Sequence, residues 1–200
     1  MGQALPRICC SEAINMQSLE NHFLIAMPNL QDPYFKQSVT YICEHNEEGA
    51  MGLVINHPVN VTVGELLDKI DIENNKMSEA AQRHVFAGGP VNTDRGFVLH
   101  TPKYGYSSSQ ELSSEIMITT SKDVLASLTY DDSPSEFLIT LGYAGWEQGQ
   151  LERELSENSW LVIKADPAII FDTPVEKRWE KAVEMLGFDV TKLASIAGHA

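Results

Sequence analysis

One segment of this chain, from Phe137 to Leu155, limits the possible folds more than any other. Its first part, from Glu136 to Tyr143, alternates in hydropathy and is rich in Phe, Leu, Ile and Thr, which is typical of a central β-strand. The strand pattern stops at Gly142 and Gly145, and a helical pattern from Trp146 to about Ser156 follows. A strand joined to a helix by a glycine turn predicts a domain that mixes α and β structure.

Local patterns elsewhere predict further elements of both kinds. Two strands, from Ser38 to Cys43 and from Ala50 to Asn56, flank a polar hairpin connection. Thr62 and Glu65 have the spacing of a capping box that starts an amphipathic helix. Further strands are predicted over His22–Met27, His84–Ala87, Gly96–His100, Ile116–Thr119 and Trp160–Lys164, and further helix starts at Ser121 and at Thr173, which Pro174 and Glu176 follow.

Length and charge limit the class of protein. A chain of 200 residues without a linker rich in Pro or Gly fits one domain with its own core. It carries 14 Lys and Arg against 28 Asp and Glu, a net charge of −14, so its surface repels phosphate backbones and nucleic-acid or membrane binding is not expected. The densest basic run, Lys177, Arg178 and Lys181, alternates with glutamates, which is typical of a solvated helix face.

Cysteine usage and the N-terminal sequence indicate a cytoplasmic protein. Three cysteines, two of them adjacent and none in a CxxC motif, favour a reducing compartment. Apolar runs are too short to span a bilayer, and residues 1–15 hold no stretch of signal-peptide length. Because structured-looking sequence follows Met16 at once, we expect residues 1–15 to be a disordered extension or the product of a mis-set start codon. Residues 16–200 are then the domain.

Three turns carry residue types that could build a site. The segment Gly142–Gly149 lies where a strand gives way to a helix, a place where backbone N–H groups bind anions, or it is a tight turn. His57, within Asn56-His57-Pro58, could act as a general base, or the tripeptide could simply end its strand. Gly88 and Gly89 could donate amides to an anion or reverse the chain.

Other kinds of chemistry have weaker support. The six histidines show no HxH, HxxxH or HExxH spacing, so we predict no metal site, and no cofactor motif is present. Cys43 lies within a strand pattern, which favours a buried apolar role over that of a nucleophile. Trp146 occupies an apolar position, which favours core packing; an exposed Trp146 would point to a ligand or a partner.

Several short motifs together resemble one bacterial family. They are Asn56-His57-Pro58 after a strand, Gly88-Gly89-Pro90-Val91, Gly142 to Trp146 followed by Gln150-Leu151-Glu152, and the closing Ala197-Gly198-His199-Ala200. In this order and spacing they resemble the AlgH/YqgE family, from about Met16 to Ala200. The resemblance implies a single compact α+β domain with a mixed, branched β-sheet, a small barrel-like portion and surrounding helices. The family's function is largely unknown, and its naming includes a transcriptional-regulator label.

Three functions are compatible with the sequence. The first is a non-enzymatic cytoplasmic regulatory or protein-interaction domain, because no complete catalytic set is present. The second is a small-molecule-binding protein or enzyme with a pocket at the glycine turns and His57. That pocket would be lined by Asn56, His57, Gly88, Gly89, Gly142, Gly145, Trp146 and Gln150. The third is a transcriptional regulator acting indirectly or by weak DNA binding, which the acidity and the lack of a helix-turn-helix pattern disfavour.

Overall fold

A computed structural model describes residues 18–187 of the chain. The strands are β1 His22–Ala26, β2 Val39–Asn46, β3 Gly49–Val54, β4 Pro58–Thr62, β5 His84–Ala87, β6 Val91–His100, β7 Ser109–Glu111, β8 Met117–Thr119, β9 Phe137–Glu147 and β10 Trp160–Lys164. The helices are α1 Val63–Lys69, α2 Glu79–Gln82, α3 Lys122–Ser127, α4 Gln150–Ser156, α5 Pro167–Phe171 and α6 Arg178–Met185, the last preceded by a 3-10 turn at Val175–Lys177. The expected extension of residues 1–15 and the closing motif at 197–200 lie outside the described residues.

The sheet is mixed and branched, and strand β9 is the branch point. The strands follow the order β10-β1-β2-β3-β9-β6-β8-β7 with antiparallel pairing throughout. Strand β5 joins β9 by a parallel pairing that sets Phe86 opposite Thr140, and β4 pairs with β5. The sheet curls into a half-barrel with helices around it, which confirms the expected single α+β domain.

Strand β9 is longer than the sequence pattern predicts. Beyond its glycines it continues to pair with β3, with Trp146 opposite Ala50. Ala144 and Trp146 are buried while the residues between and after them are exposed, so the alternation of a strand persists. The prediction of a helix starting at Trp146 is therefore wrong. Helix α4 begins at Gln150, after Gly149 turns the chain with a φ of 72°.

The sequence signals for helix starts differ in outcome. Thr62 and Glu65 form the predicted capping box: the Glu65 amide donates to the Thr62 hydroxyl at 3.3 Å, and the Thr62 amide donates to the Glu65 carboxylate at 2.8 Å. Ser121 precedes α3, but its hydroxyl accepts no hydrogen bond from a helix amide and instead donates to the side-chain carboxylate of Asp123. The expected N-cap at Thr173 is wrong, because its hydroxyl donates to the Ala168 carbonyl and thereby ends α5.

Four short elements escaped the sequence patterns, namely β4, β7, α2 and α5. Strand β4 has only five residues, with Val59 and Val61 half-buried, and β7 lies in a serine-rich stretch that was expected to be a loop. Helix α5 has only five residues, of which Ile169 and Ile170 are buried. It packs against β9 and α6. Together α5 and α6 cover one face of the sheet, where Trp179 of α6 donates its indole N–H to the Ala26 carbonyl at 3.0 Å.

Candidate functional site

The predicted glycine turns meet in the structure, but backbone atoms fill the space between them. The Gly88 amide donates to the Leu141 carbonyl at 2.8 Å, and a Cβ added at Gly88 would lie 2.3 Å from the Gly142 carbonyl oxygen. A Cβ added at Gly142 would lie 2.5 Å from the Gly89 carbonyl oxygen. Close approach of two chain segments thus explains why these residues are glycines. Since the Gly88 amide is engaged in the sheet, it cannot also hold an anion.

Asn56 and His57 line a cavity of about 450 Å³ at another place in the molecule. The Asn56 side chain accepts a hydrogen bond from the Val39 amide and donates one to the Gln37 carbonyl, both at 2.8 Å. Burial lowers the pKa of His57, although hydrogen bonds to two backbone groups act to raise it. The amide of Asn56 therefore has a structural role, while His57 is a neutral imidazole at the wall of this cavity.

Trp146 and Gln150 lie around the carboxylate of Glu154. The indole N–H groups of Trp146 and Trp160 both donate to Glu154 Oε2, at 2.9 and 2.8 Å, and Gln150 Nε2 donates to Oε1 at 2.9 Å. Trp146 is only 6% exposed, which agrees with core packing. The Glu147 amide donates to Gln150 Oε1 at 3.0 Å, so a side chain already occupies the first amide of the turn. Gly145 is exposed in β9 near this end of the strand.

The histidine His45 is held on both sides of its ring. Its Nδ1 accepts from the Leu19 amide at 2.9 Å, so the neutral ring carries its proton on Nε2 and donates to Glu152 at 2.8 Å. Burial acts to raise the pKa of Glu152, but the hydrogen bond from His45 contributes to holding it below its usual value. With both nitrogens engaged, His45 ties β2 to α4 and has no lone pair for a substrate.

A second buried histidine, His100, ends a chain of hydroxyl groups. Its Nδ1 donates to the Thr101 carbonyl at 2.8 Å, so Nε2 is an acceptor and receives the Thr119 hydroxyl at 2.8 Å. Thr119 in turn is 2.6 Å from the Ser109 hydroxyl. Burial lowers the pKa of His100, against its backbone hydrogen bond. A neutral, fully bonded imidazole of this kind joins β6, β7 and β8.

A cavity of about 290 Å³ lies among β5, β9, α5 and α6, where the sequence patterns placed no site. Its apolar lining consists of Phe86, Phe137, Leu138, Ile139, Ile170, Phe171 and Val175. Arg83 and Glu136 mark its open side, since their side chains are 36% and 37% exposed and form an ion pair at 3.0 Å. Arg178 lines the same space and is buried. We call this space the Arg178 cavity.

Arg178 is a charged side chain in the protein interior, only 6% exposed. Its Nε donates to the Thr173 carbonyl at 3.1 Å, its Nη1 donates to the Ile55 carbonyl, and the guanidinium lies 5.2 Å from the centre of the Phe86 ring. Within residues 18–187, no carboxylate is within ion-pair distance of it. Burial lowers the pKa of Arg178 to about 10, although the charge of Glu176 acts to raise it.

The prediction of a solvated helix face is therefore wrong for Arg178, although Lys177 and Lys181 are exposed. The signal that could have found it is its spacing. Arg178 is three residues after Val175 and four before Ala182, so it falls on the apolar stripe of the helix. A charge on such a stripe indicates a buried polar role.

Two absences concern the described range, residues 18–187. No group of three or more His, Cys, Asp or Glu side chains there is placed to share a metal ion. No helix there has the length and hydropathy needed to cross a lipid bilayer.

Comparison with known proteins identifies the family. The family model described as AlgH-like (DUF179) matches residues 23–191. The chain belongs to the AlgH-like family. A UPF0301 protein of Pseudoalteromonas translucida is 76% identical to this AlgH-like chain over 185 residues, which make up 92% of the chain and 100% of the relative. A UPF0301 protein of Vibrio cholerae is 53% identical over 186 residues, 92% of the chain and 100% of the relative.

Two solved structures share the AlgH-like fold. The solution structure of AlgH from Pseudomonas aeruginosa covers 100% of both chains with a TM-score of 0.75 and 46% identity. A crystal structure of a Corynebacterium diphtheriae protein covers 84% of this chain and 86% of that one, with a TM-score of 0.63. At 19% identity, it shows the fold alone. The family resemblance of the motifs is confirmed, and because the family has no assigned activity, function has to be argued from the site.

Proposed function

We propose that this AlgH-like protein is a non-enzymatic small-molecule-binding domain whose ligand occupies the Arg178 cavity. The observation that carries the proposal is a buried guanidinium at the wall of an apolar cavity, without a carboxylate partner among residues 18–187. Burying a charge without a counter-charge is unfavourable for folding, and buried groups of this kind are concentrated at functional sites. A binding role accounts for the charge of Arg178.

The larger cavity beside His57 is a poorer candidate. It is lined by Lys36, Glu176 and Glu180, charges of both signs that are exposed to solvent. Water and salt screen such charges, so they orient a ligand weakly. Small-molecule sites are mainly apolar with a few well-placed polar groups, and the lining of the Arg178 cavity has that character.

The state of the reactive side chains supports binding over catalysis. His45 and His100 have both ring nitrogens in structural hydrogen bonds. Burial raises the pKa of the Cys43 thiol, which disfavours the nucleophilic thiolate. These three candidate bases and nucleophiles are thus committed to the fold, and the one imidazole in the lining of the Arg178 cavity, that of His84, is exposed to solvent.

We further propose a regulatory role for the ligand, supported by a residue that the two cavities share. Val175 lines both the Arg178 cavity and the larger cavity beside His57. A ligand that fills one cavity therefore bears on a wall of the other, next to the exposed 3-10 turn that leads into α6. A protein partner that reads the position of this turn would sense the ligand, which supports the regulatory or protein-interaction hypothesis made from the sequence.

The proposal is tested by saturation-transfer difference NMR with 1-octanol as a neutral apolar probe. We expect a signal from the wild type that falls sharply in Phe171→Trp, because the larger ring fills part of the cavity. Tyr130→Trp adds the same ring at an exposed position and should keep the signal. Equal signals from all three proteins would indicate surface adsorption and overturn the proposal. The absence of a signal from the wild type with 1-octanol and also with its carboxylate analogue octanoate would overturn it as well.

A further inference from the structure

We infer that the ligand of the Arg178 cavity is an amphipathic monocarboxylate, with its carboxylate on the guanidinium of Arg178 and its hydrocarbon part among the apolar lining. This inference rests on the proposed binding function and assigns it a ligand class. It is carried by the donors that Arg178 has left, by the charges around it and by the size of the cavity.

The guanidinium of Arg178 retains N–H donors after its structural hydrogen bonds are made. It has five, of which one on Nε and one on Nη1 are directed to the carbonyls of Thr173 and Ile55. Within the described part of the chain, the second N–H of Nη1 and the pair on Nη2 have no hydrogen-bond acceptor. One N–H of Nη1 and one N–H of Nη2 form the parallel pair of donors that binds both oxygens of a carboxylate.

The charges around the cavity favour a ligand with a single negative charge. Arg83, the other permanent cation of its lining, is already paired with Glu136 at 3.0 Å, and His84, the remaining basic side chain, is exposed to solvent. Glu176 lies close enough to influence the pKa of Arg178. A dicarboxylate or a phosphate dianion would bring a second charge that no unpaired arginine or lysine in the lining neutralises, whereas a monocarboxylate balances Arg178 alone.

Desolvation also favours a carboxylate at this position. Arg178 has already lost most of its water on folding, which its lowered pKa reflects. A ligand carboxylate must lose its own water but does not have to desolvate its partner, so more of the attraction between the charges remains as binding free energy. A neutral or cationic head group would gain nothing comparable.

The volume sets the size of the hydrocarbon part. At about 30 Å³ for each non-hydrogen atom, the share of one water molecule in the liquid, 290 Å³ holds on the order of ten such atoms. A medium-chain fatty acid such as octanoate fits this volume, as does an arylacetate, while a nucleotide does not. The aromatic and aliphatic lining suits either hydrocarbon.

The experiment measures how tightly three probes bind to the full-length wild type. The probes have the same hydrocarbon chain but head groups of different charge, and they are octanoate, 1-octanol and octylamine. Isothermal titration at neutral pH should give about tenfold tighter binding for octanoate than for 1-octanol, the gain of one charge-assisted hydrogen-bonding pair, and weaker binding for octylamine. If 1-octanol binds as tightly as octanoate, the carboxylate inference is overturned while the binding function stands. If none of the three binds, both are overturned.

Two variants then test whether Arg178 causes the tighter binding of octanoate. Arg178→Gln should abolish the advantage of octanoate over 1-octanol, while Lys181→Gln, which removes an exposed cation of the same helix, should preserve it. An octanoate advantage that survives in Arg178→Gln would contradict the assignment. Should Arg178→Gln fail to fold, binding of the three probes to the wild type and to Lys181→Gln still tests the carboxylate inference. If Lys181→Gln loses the preference for octanoate over 1-octanol, the preference comes from surface charge and the inference is overturned.

Discussion

Arg178 combines two properties that seldom occur together, burial to 6% exposure and a charge without a carboxylate partner among residues 18–187. Its hydrogen bonds to two main-chain carbonyls hold the guanidinium in place but do not neutralise it. The Phe86 ring adds a cation–π contact, typically worth about 0.5–2 kcal/mol. The remaining deficit is what a bound anion would offset.

Replacement of Gly142 by Ala should destabilise the protein strongly. Gly142 has a φ of 71°, and an added Cβ would lie 2.5 Å from the Gly89 carbonyl oxygen. The backbone conformation alone costs a residue with a side chain about 1–3 kcal/mol, and the clash adds to it. Urea denaturation should therefore show a loss of at least about 2 kcal/mol.

Gly145→Ala is the matched control for this variant, because the nearest atom to its added Cβ is at an ordinary 3.4 Å. Its unfolding free energy should stay within about 0.5 kcal/mol of the wild type. Similar losses in Gly142→Ala and Gly145→Ala would show that close backbone packing does not explain Gly142.

The burial of His100 should make stability fall on acidification. Its pKa is lower in the folded protein than in the unfolded chain, where it is about 6.5, so the unfolded chain binds more protons below that pH. The contribution of His100 to the free energy of unfolding is fully present above about pH 6.5. It is lost as the pH falls towards the pKa of His100 in the folded protein. Compared by urea denaturation at about pH 8 and about pH 5.5, His100→Gln should lose less stability than the wild type.

The same variant should already be less stable at about pH 8, by about 1–3 kcal/mol, because it leaves the Thr101 carbonyl or the Thr119 hydroxyl without its partner. If His100→Gln and the wild type lose the same stability on acidification, His100 does not contribute to the pH dependence.

For individual residues, the sequence predicted the roles that depend on neighbours along the chain. Gly88, Gly89 and Gly142 stand out because glycine pairs and turns are readable along the chain, but the carbonyl groups they approach belong to segments distant in sequence. The local charge pattern around Arg178 pointed to solvent, and only the packing of α6 on the sheet shows that its side chain enters the interior. Tertiary contacts decide both cases.

Two carboxylates attach helix α4 to the sheet, Glu152 through His45 and Glu154 through two tryptophans. Glu154 receives hydrogen bonds from the indole N–H groups of Trp146 in β9 and Trp160 in β10, and from Gln150 one turn earlier. Hydrogen bonds to a charged acceptor contribute about 1.5–3 kcal/mol each, although bonds to a shared acceptor do not add. The helix is only seven residues long, so this attachment matters more than its intrinsic helical stability.

Glu154→Ala should therefore cost about 2–3 kcal/mol of unfolding free energy and alter tryptophan fluorescence, since two buried indoles lose their acceptor. Glu157→Ala, at an exposed position at the end of the same helix, should stay within about 0.5 kcal/mol of the wild type with unchanged emission. Unchanged emission in Glu154→Ala would refute the role of Glu154 as a link between α4 and the sheet.

Elements with strong local signals were predicted correctly, and elements defined by their partners were not. The capping box of Thr62 and Glu65 gave the start of α1, and the β2–β3 hairpin followed from composition and turn residues. The extension of β9 to Glu147 depends on pairing with β3, which no local pattern shows. The site walls, α5 and the 3-10 turn before α6, are too short for a periodic signal.

The net charge of −14 determines the long-range electrostatic interaction of the whole molecule with other macromolecules. Such a surface opposes the approach of polyanions, and the basic residues Lys177 and Lys181 each pair with a nearby glutamate. We expect no mobility shift of duplex DNA with this protein even at low salt. A shift that weakens as salt is added would contradict this expectation and support direct DNA binding.

Occupation of the Arg178 cavity by a small ligand is tested most directly by intermolecular NOEs to methyl-labelled full-length protein. With octanoate, or with 1-octanol if the acid does not bind, the chain protons should show NOEs to the methyl groups of Leu138, Ile139 and Ile170, which line the cavity. NOEs confined to methyl groups elsewhere, such as those of Leu112 and Ile118 beside Cys43, would contradict binding in the Arg178 cavity, as would their complete absence.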